Sequence, residues 1–362
     1  MHPRIEPTGR HGTRMRRVFG VAVASVALTA IGGIAAVAQD EDPVKLGFVY
    51  WETKTDAFVQ MAHGGQAVGE LDPGVEVKIA APDTGDPSKQ AALFVPIAQT
   101  QTDGIVLQSL AADPLFRPVK DATDAGIPVV AIDAPPPADA GVGLFVTNDN
   151  HALGMQLAEQ VLALVPADAS GSVIIGSTGV GVPPLDMRAQ GMVDKVTELR
   201  PDLKIVGPIS TMGTTATQAE VYAAWDGLLK NNPDAVAVMA PSAQDATAWG
   251  LLAKRAGFDL PSGGFDLEAG NLQAVKEGSV DYVMSPEHWL SGYIATKLLA
   301  ESAKSGEPLP QGLWNVGGLL VSADNVDDII ARQESPESVT AGMAPLGDEQ
   351  IANPDQHLVP WP

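Results

Sequence analysis

The sequence contains no cysteine. That excludes a disulfide framework, a thiolate metal centre, a cysteine nucleophile and a lipid anchor carried on an N-terminal cysteine. Basic residues are scarce: 22 Lys and Arg stand against 44 Asp and Glu, a formal net charge of -22. A surface this acidic repels a phosphate backbone, so a nucleic-acid partner is not expected. Beyond residue 38 no run is long and apolar enough to cross a bilayer. The signatures of several enzyme classes are missing as well. There is no Gly-x-Ser-x-Gly elbow, and Gly176–Gly181 lacks both the Lys-Ser/Thr ending of a phosphate loop and the dinucleotide glycine spacing, so it reads as a strand-end turn. His63, His151, His288 and His357 show no paired spacing for zinc, and no pair of carboxylates stands out for acid-base work. No enzyme, metal or cofactor is expected.

What remains is a chain of 362 residues, 45% hydrophobic with 37 Gly and 29 Pro, globular in composition and sufficient for one large or two medium α/β domains. Its first 38 residues have the three parts of an export signal. Arg14, Arg16 and Arg17 precede the uncharged apolar run Val18–Ala35, and Ala36-Val37-Ala38 supplies the small residues for a cut before Gln39. An uncleaved anchor competes, but the Gly and Ala content of the run favours cleavage. A mature exported protein without a lipid anchor is expected.

The rest is organised around Asp103–Asp133. Ile105–Leu107 and Val129–Ile132 are short β-branched runs bounded by Gly, Pro and Asp, and Phe116–Ala125 between them has the composition of a crossover helix. The unit reads as a right-handed βαβ. Asp133 closes its second strand, where open parallel sheets hold ligands, though a loop or capping Asp explains the position equally well. Similar alternation precedes it, with strands Lys45–Tyr50 and Val75–Ala80 and helices from Asp56 and from Ser88, the latter kinked or shortened by Pro96. Strand Gly143–Val146 closes this half. A second half follows, with strands at 172–175, 204–206, 235–239 and 280–284 alternating with helices at 152–164, 187–199, 218–229, 244–256 and 271–277. Helix Leu290–Ala303 and a strand at Val316–Val321 come next, and the tail 334–362 shows little periodicity. The expected fold class is α/β, with two doubly wound parallel-sheet lobes facing each other across a cleft.

The order of four segments resembles the type I periplasmic substrate-binding proteins of the ribose- and galactose-binding class, which serve sugar ABC transporters. Ala125–Asp133 is close to that family's fourth strand, and Asp149-Asn150-His151-Ala152-Leu153-Gly154 to its crossover into the second lobe. Met187-Arg188-Ala189-Gln190-Gly191 resembles its arginine-containing helix start. Gln244–Gly250, followed by Phe265-Asp266, resembles its Asn-Asp segment and the strand after it. The resemblance covers about residues 44–330. It implies a three-strand hinge with crossings near Asp149, Ser285 and Gly317. The first lobe would take 44–148 and 286–316, the second 149–285 and 317–333, leaving 334–362 as an extension.

It also implies a site. Thr55 and Phe58 fall at the first lobe's polar and aromatic positions, and Asp133, Arg188, Gln244 and Asp266 at the main polar contacts. Ser285 falls loosely at a further polar position, for which Glu287 or His288 are alternatives. Such a set suits a sugar, because a carboxylate accepts from neighbouring hydroxyls while an arginine donates a fork. The departures are Ala134 where Arg is common, and Ala57 and Ala216 at aromatic positions; Trp51 and Trp289 could supply those faces. Trp249 reads as core, and His288 as a surface or rim residue. A periplasmic, monomeric carbohydrate-binding protein that hands a sugar or polyol to permease subunits is the implied function. A sensor or chemoreceptor module of the same fold, and a binder of a cationic amine caged by Trp and carboxylates, are the alternatives.

Overall fold

The computed structural model describes residues 42–361, apart from 112 and 214–215. The export segment and its cut before Gln39 lie outside the described residues. The first half alternates β1 (Val44–Val49), α1 (Asp56–Leu71), β2 (Val75–Ala80), α2 (Pro87–Thr100), β3 (Gly104–Gln108), α3 (Phe116–Asp124), β4 (Val129–Ile132) and β5 (Leu144–Thr147). The second begins with α4 (Asn150–Leu164). It continues as β6 (Ser172–Ser177), α5 (Pro183–Leu199), β7 (Lys204–Ser210), α6 (Gln218–Asn231), β8 (Ala235–Met239), α7 (Ala243–Ala256), β9 (Ser262–Phe265), α8 (Ala269–Lys276) and β10 (Tyr282–Ser285). The chain then runs through α9 (His288–Ser305), β11 (Gly312–Asn315), β12 (Leu319–Val321), α10 (Val326–Arg332), α11 (Pro336–Ala352) and β13 (Leu358–Val359).

Two sheets result, in the orders β13-β11-β5-β4-β3-β1-β2 and β12-β10-β9-β8-β6-β7. Each winds outward in both directions from its first strand, so each lobe has the 2-1-3-4-5 order of a doubly wound sheet. Pairing is parallel except for β11 with β13 and β10 with β12. Strands β3, β4, β5, β6 and β9 are buried along their length, as helix-covered parallel strands must be, while β2 and β7 at the sheet edges are partly exposed. Alternate residues of one strand therefore enter different cores. Phe48 and Val106 pack on one side of the first sheet and Val49, Ile105 and Leu107 on the other. In the second sheet Ile174 and Val238 divide from Val173, Ile175, Ala237 and Met239 in the same way.

Each lobe also has one helix pair in very close contact, made possible by glycine. A Cβ on Gly292 would lie 1.8 Å from Met61 O, and one on Gly64 would lie 2.0 Å from Trp289 O, so α9 and α1 touch backbone to backbone. Gly154 and Gly191 do the same for α4 and α5, at 2.0 Å from Arg188 O and 2.1 Å from His151 O.

The structure differs from the sequence reading at three places. The strand expected at Val316–Val321 is reduced to β12, Leu319–Val321, and an unexpected strand β11, Gly312–Asn315, precedes it in the other sheet, because the chain turns at Gly317 with φ 75 and crosses between lobes there. Helix α2 is capped by Asp86, which accepts from Ser88 N and Lys89 N, rather than by Ser88 as the turn suggested, and it runs on to Thr100 with Pro96 inside it, so of the two expected effects of that proline shortening does not occur. The weakly periodic tail forms α11 and β13. Met343 and Ala344 enter the first lobe's core, Tyr293 donates to Asp348 at 2.8 Å, and β13 pairs with the edge strand β11. Its helical period was obscured by Pro345 and by small residues.

Candidate ligand-binding site

Three short crossings join the lobes: residues 148–149 after β5, 286–287 after β10 and 316–318 after β11. The carboxyl ends of both sheets meet beside them. Asp133 ends the fourth strand of the first lobe and Asp266 the fourth strand of the second, at φ 69 and φ 71. Left-handed backbone is uncommon for a non-glycine residue, and Asp is among the few that tolerate it. Each backbone N–H donates to the fifth strand of its lobe, Asp133 to Val146 O at 3.2 Å and Asp266 to Met284 O at 2.9 Å. The chain thereby turns each carboxylate off the sheet end and into the space between the lobes.

The environments of the two carboxylates differ. Asp266 Oδ1 lies 2.9 Å from His288 Nε2 and 3.8 Å from Arg188 Nη1. These partners outweigh its burial and hold its carboxyl below the usual range. Asp133 Oδ2 accepts Gln108 Nε2 at 2.9 Å, a neutral donor, and burial pushes its carboxyl up despite the charges of His288 and Arg188. Gln108 is itself fixed by Trp51 N, which donates to its Oε1 at 2.9 Å.

Arg188 is 2% exposed, so it is not a solvated helix residue. Nε donates to Asn150 Oδ1 at 2.8 Å and Nη1 to Pro241 O at 3.2 Å, and the guanidinium lies 4.5 Å over the Phe265 ring. Two of its five N–H groups are thus committed within the protein, which leaves a fork able to reach a ligand oxygen.

Asp133, Arg188 and Asp266 are therefore brought together. The other sequence-predicted residues are placed less tightly. Thr55 is the exposed N-cap residue of α1, and Phe58 packs against the first lobe's core. The Trp51 indole lies against the backbone of Gly85, whose Cβ would come within 2.4 Å of Nε1. Gln244 Oε1 is buried without a protein partner, while its neighbour Asp245 is consumed by Ser242, Thr211, Trp225 and Thr178 N. Ser285 Oγ accepts from Glu287 N at 3.1 Å within the second crossing. Trp249 is core, as read from sequence. His288 corrects its reading as a rim residue, since α9 begins beneath the cleft and seats it, 7% exposed, against Asp266. Gln108 and Asn150 were not singled out from sequence; Asn150 lay inside a quoted motif, but Gln108 carried no signal beyond ending a strand.

A cavity of about 760 Å³ opens beside this cluster; of the residues singled out from sequence as contacts, its lining includes Trp289 but none of Trp51, Thr55, Phe58, Asp133, Arg188, Gln244, Asp266 or Ser285. Helix α1 lines it with Asp56, Gln60, His63 and Glu70, the second lobe with Leu267 and Glu268, and the start of α11 with Pro336 and Val339. Trp289 forms part of the wall, its ring stacked on Tyr293 at 4.9 Å between centroids. Burial, then the nearby carboxylates of Asp266 and Asp56, push Glu268 up to about 7. Among the described residues no group of His, Asp or Glu is arranged to hold a metal, and no helix is long and apolar enough to cross a membrane.

The match to the family model described as a periplasmic binding protein domain extends over residues 46–308, and the chain belongs to that family. A curated relative, the xylose/arabinose-binding protein XylF of Sulfolobus acidocaldarius, is 22% identical over 213 residues, 54% of this chain and 50% of the relative. The chain thus matches about half the length of that relative. Among solved structures, a periplasmic ribose ABC transporter protein of Conexibacter woesei superposes with a TM-score of 0.71 at 19% identity, covering 80% of this chain and 95% of the other. An ABC transporter solute-binding protein of Burkholderia graminis in complex with D-arabinose gives 0.69 at 20% identity, covering 79% and 97%. At these identities the likeness establishes the fold, the two-lobed type I architecture with a three-strand hinge.

Proposed function

We propose that the protein is an exported binding protein that captures a sugar or sugar alcohol between its lobes and delivers it to an ABC importer. The observation that carries this reading is the placement of Asp133 and Asp266 at equivalent strand ends, with the Arg188 fork between the sheets. Two carboxylates and one guanidinium match a ring of hydroxyls, which donate to the acids and accept from the arginine. Charge-assisted bonds of this kind contribute about 1.5–3 kcal/mol each in a closed cleft, so a few dominate affinity. Gln244, Ser285, Thr55, Phe58 and Trp51 complete the proposed contacts. The sugar-binding names of the relatives support the ligand class. The first lobe comprises 44–148 and 286–316 and the second 149–285 and 317–333, with 334–362 an extension packed on the first. The ligand touches both lobes and so favours the closed arrangement, which permease subunits read. The mature chain begins at Gln39, acts as a monomer outside the cytoplasmic membrane and catalyses no reaction.

The test is a thermal-shift screen of the chain from Gln39 against pentoses, hexoses, polyols, amines and amino acids, since a ligand that binds only the folded state raises the melting temperature. A sugar or polyol should give the largest rise, and Arg188→Ala and Asp266→Ala should each weaken its binding by about tenfold or more. Undiminished affinity in both variants would remove this site. A cationic amine is the second reading. It is favoured by the cavity carboxylates Asp56 and Glu268 near Trp289, whose mutual repulsion a cation would relieve. A melting rise with amines alone would select it.

A further inference from the structure

All three crossings between the lobes meet at one side chain. Asn148, on the first, donates from Nδ2 to Pro286 O on the second at 2.8 Å and also to Gly317 O on the third. One amide nitrogen carries two N–H groups, so it can hold two carbonyls at once, which neither a hydroxyl nor a carboxylate can do. Two residues on, Asn150 donates from Nδ2 to Asn148 O at 3.4 Å and accepts Arg188 Nε on its Oδ1 at 2.8 Å. Asn148 and Asn150 are 7% and 3% exposed, so little water competes for these bonds. An unbroken path of covalent and hydrogen bonds therefore runs from the hinge to the guanidinium. A change in the spacing of the three crossings would be felt at Asn148 and, two residues on, at the amide that orients Arg188.

We infer that Asn148 and Asn150 are positioning residues that couple hinge rotation to the placement of Arg188, so that lobe closure and presentation of the arginine fork are one event. The inference rests on the reading of Arg188 as a ligand contact. It differs from a purely structural role in what it demands. Loss of either amide must act on ligand binding through Arg188, and loss of Asn148 must also loosen the angle between the lobes.

The experiment uses the chain from Gln39. It has no native cysteine, so Lys89→Cys and Lys230→Cys, exposed residues of opposite lobes, accept a spin-label pair without competing sites. D-arabinose and D-ribose are titrated calorimetrically, and the distance distribution between labels is recorded with and without sugar. Asn150→Ala should weaken sugar binding about tenfold, the scale of one lost bond to a charged group, and should add nothing in an Arg188→Ala background. Asn150→Asp keeps the acceptor for Arg188 Nε and should retain most of the affinity. Asn148→Ala should broaden the distance distribution and weaken binding severalfold; Asn148→Ser, which keeps one donor, replaces it if that variant does not fold. Losses that add to that of Arg188→Ala, or unchanged affinity in both asparagine variants while Arg188→Ala binds poorly, would overturn the coupling and leave the site standing. If Arg188→Ala binds as the parent does, the site reading fails. If the parent binds neither sugar, the distances decide, and an unchanged distribution in Asn148→Ala overturns the hinge role.

Discussion

Asp133 and Asp266 stand at the same point of two lobes wound in the same order, each in left-handed backbone and each tied by its N–H to the next strand. Their carboxyls are nevertheless driven in opposite directions, Asp133 up and Asp266 down. Both are removed from water, so burial is common to them and does not separate them. The difference lies in the side chains that touch each carboxylate. Asp266 is hydrogen-bonded to His288 and lies 3.8 Å from Arg188, while Asp133 accepts the neutral amide of Gln108, feels the two cationic groups only through space and is opposed by the carboxylate of Asp266. A repeated scaffold thus places two identical groups symmetrically and leaves unlike neighbours to give them different chemistry. One lobe offers a firmly ionised acceptor, the other a carboxyl more easily protonated.

The comparison is broken most severely by removing the better-partnered acid. Asp266→Ala strips a buried guanidinium of its carboxylate and should lower unfolding free energy by about 3–5 kcal/mol, the scale for a half-deleted buried pair. Asp133→Asn removes a penalised charge and keeps an acceptor for Gln108, so its change should stay within about 1 kcal/mol. Urea denaturation of the two variants side by side checks this; equal losses would mean that the difference in neighbours has no energetic consequence.

A second pairing tests whether the lobes are equivalent in their packing. Gly292→Ala in the first lobe and Gly191→Ala in the second each drive a methyl into a facing carbonyl, and each should cost about 1–3 kcal/mol or more. Similar melting losses are expected, because both contacts are backbone to backbone. A much milder loss in one lobe would show that its helices can separate.

The effects of pH differ in sign between the acids. The folded carboxyl of Asp266 lies below its ordinary value, so its stabilisation is present above an unfolded value near 3.8 and is lost as pH falls through the folded one. Asp133 and Glu268 are raised, so the folded state binds more protons than the unfolded chain and stability falls as pH rises through their window. For Glu268 that window runs from 4.5 to about 7. Glu268→Gln should flatten the stability profile between these values, and Asp266→Asn should flatten it on the acid side instead. Melting temperatures across a pH series separate the two, and a parent profile that rises between pH 5 and 7 would contradict the assignment for Glu268.

Much of this arrangement was legible in the residues themselves. The β-branched run ending at Asp133 marks a strand end by local chemistry, and the alternation of strands and helices defines two wound halves; β9, Ser262-Gly263-Gly264-Phe265, has no such run, so Asp266 was reached only through the family resemblance. The crossing near Gly317 could be anticipated, although β11, the four residues Gly312–Asn315, was missed and β12 was begun three residues too early. The tail escaped for the opposite reason. Its helix buries little, and β13 exists only because the edge of β11 is there to pair with.

Strand and helix placement, the doubled winding, the acidic surface and the arginine at the start of a helix follow from the sequence, because each depends on residues a few positions apart or on composition alone. The tertiary structure alone decided that His288 backs Asp266 rather than Asp133, that Gln108 holds the other acid, and that Asn148 holds two crossings 138 and 169 residues further along the chain. Those pairings depend on which strand ends are neighbours once both sheets have closed. No local pattern encodes that, because the energy that selects it comes from burying both faces of both sheets together.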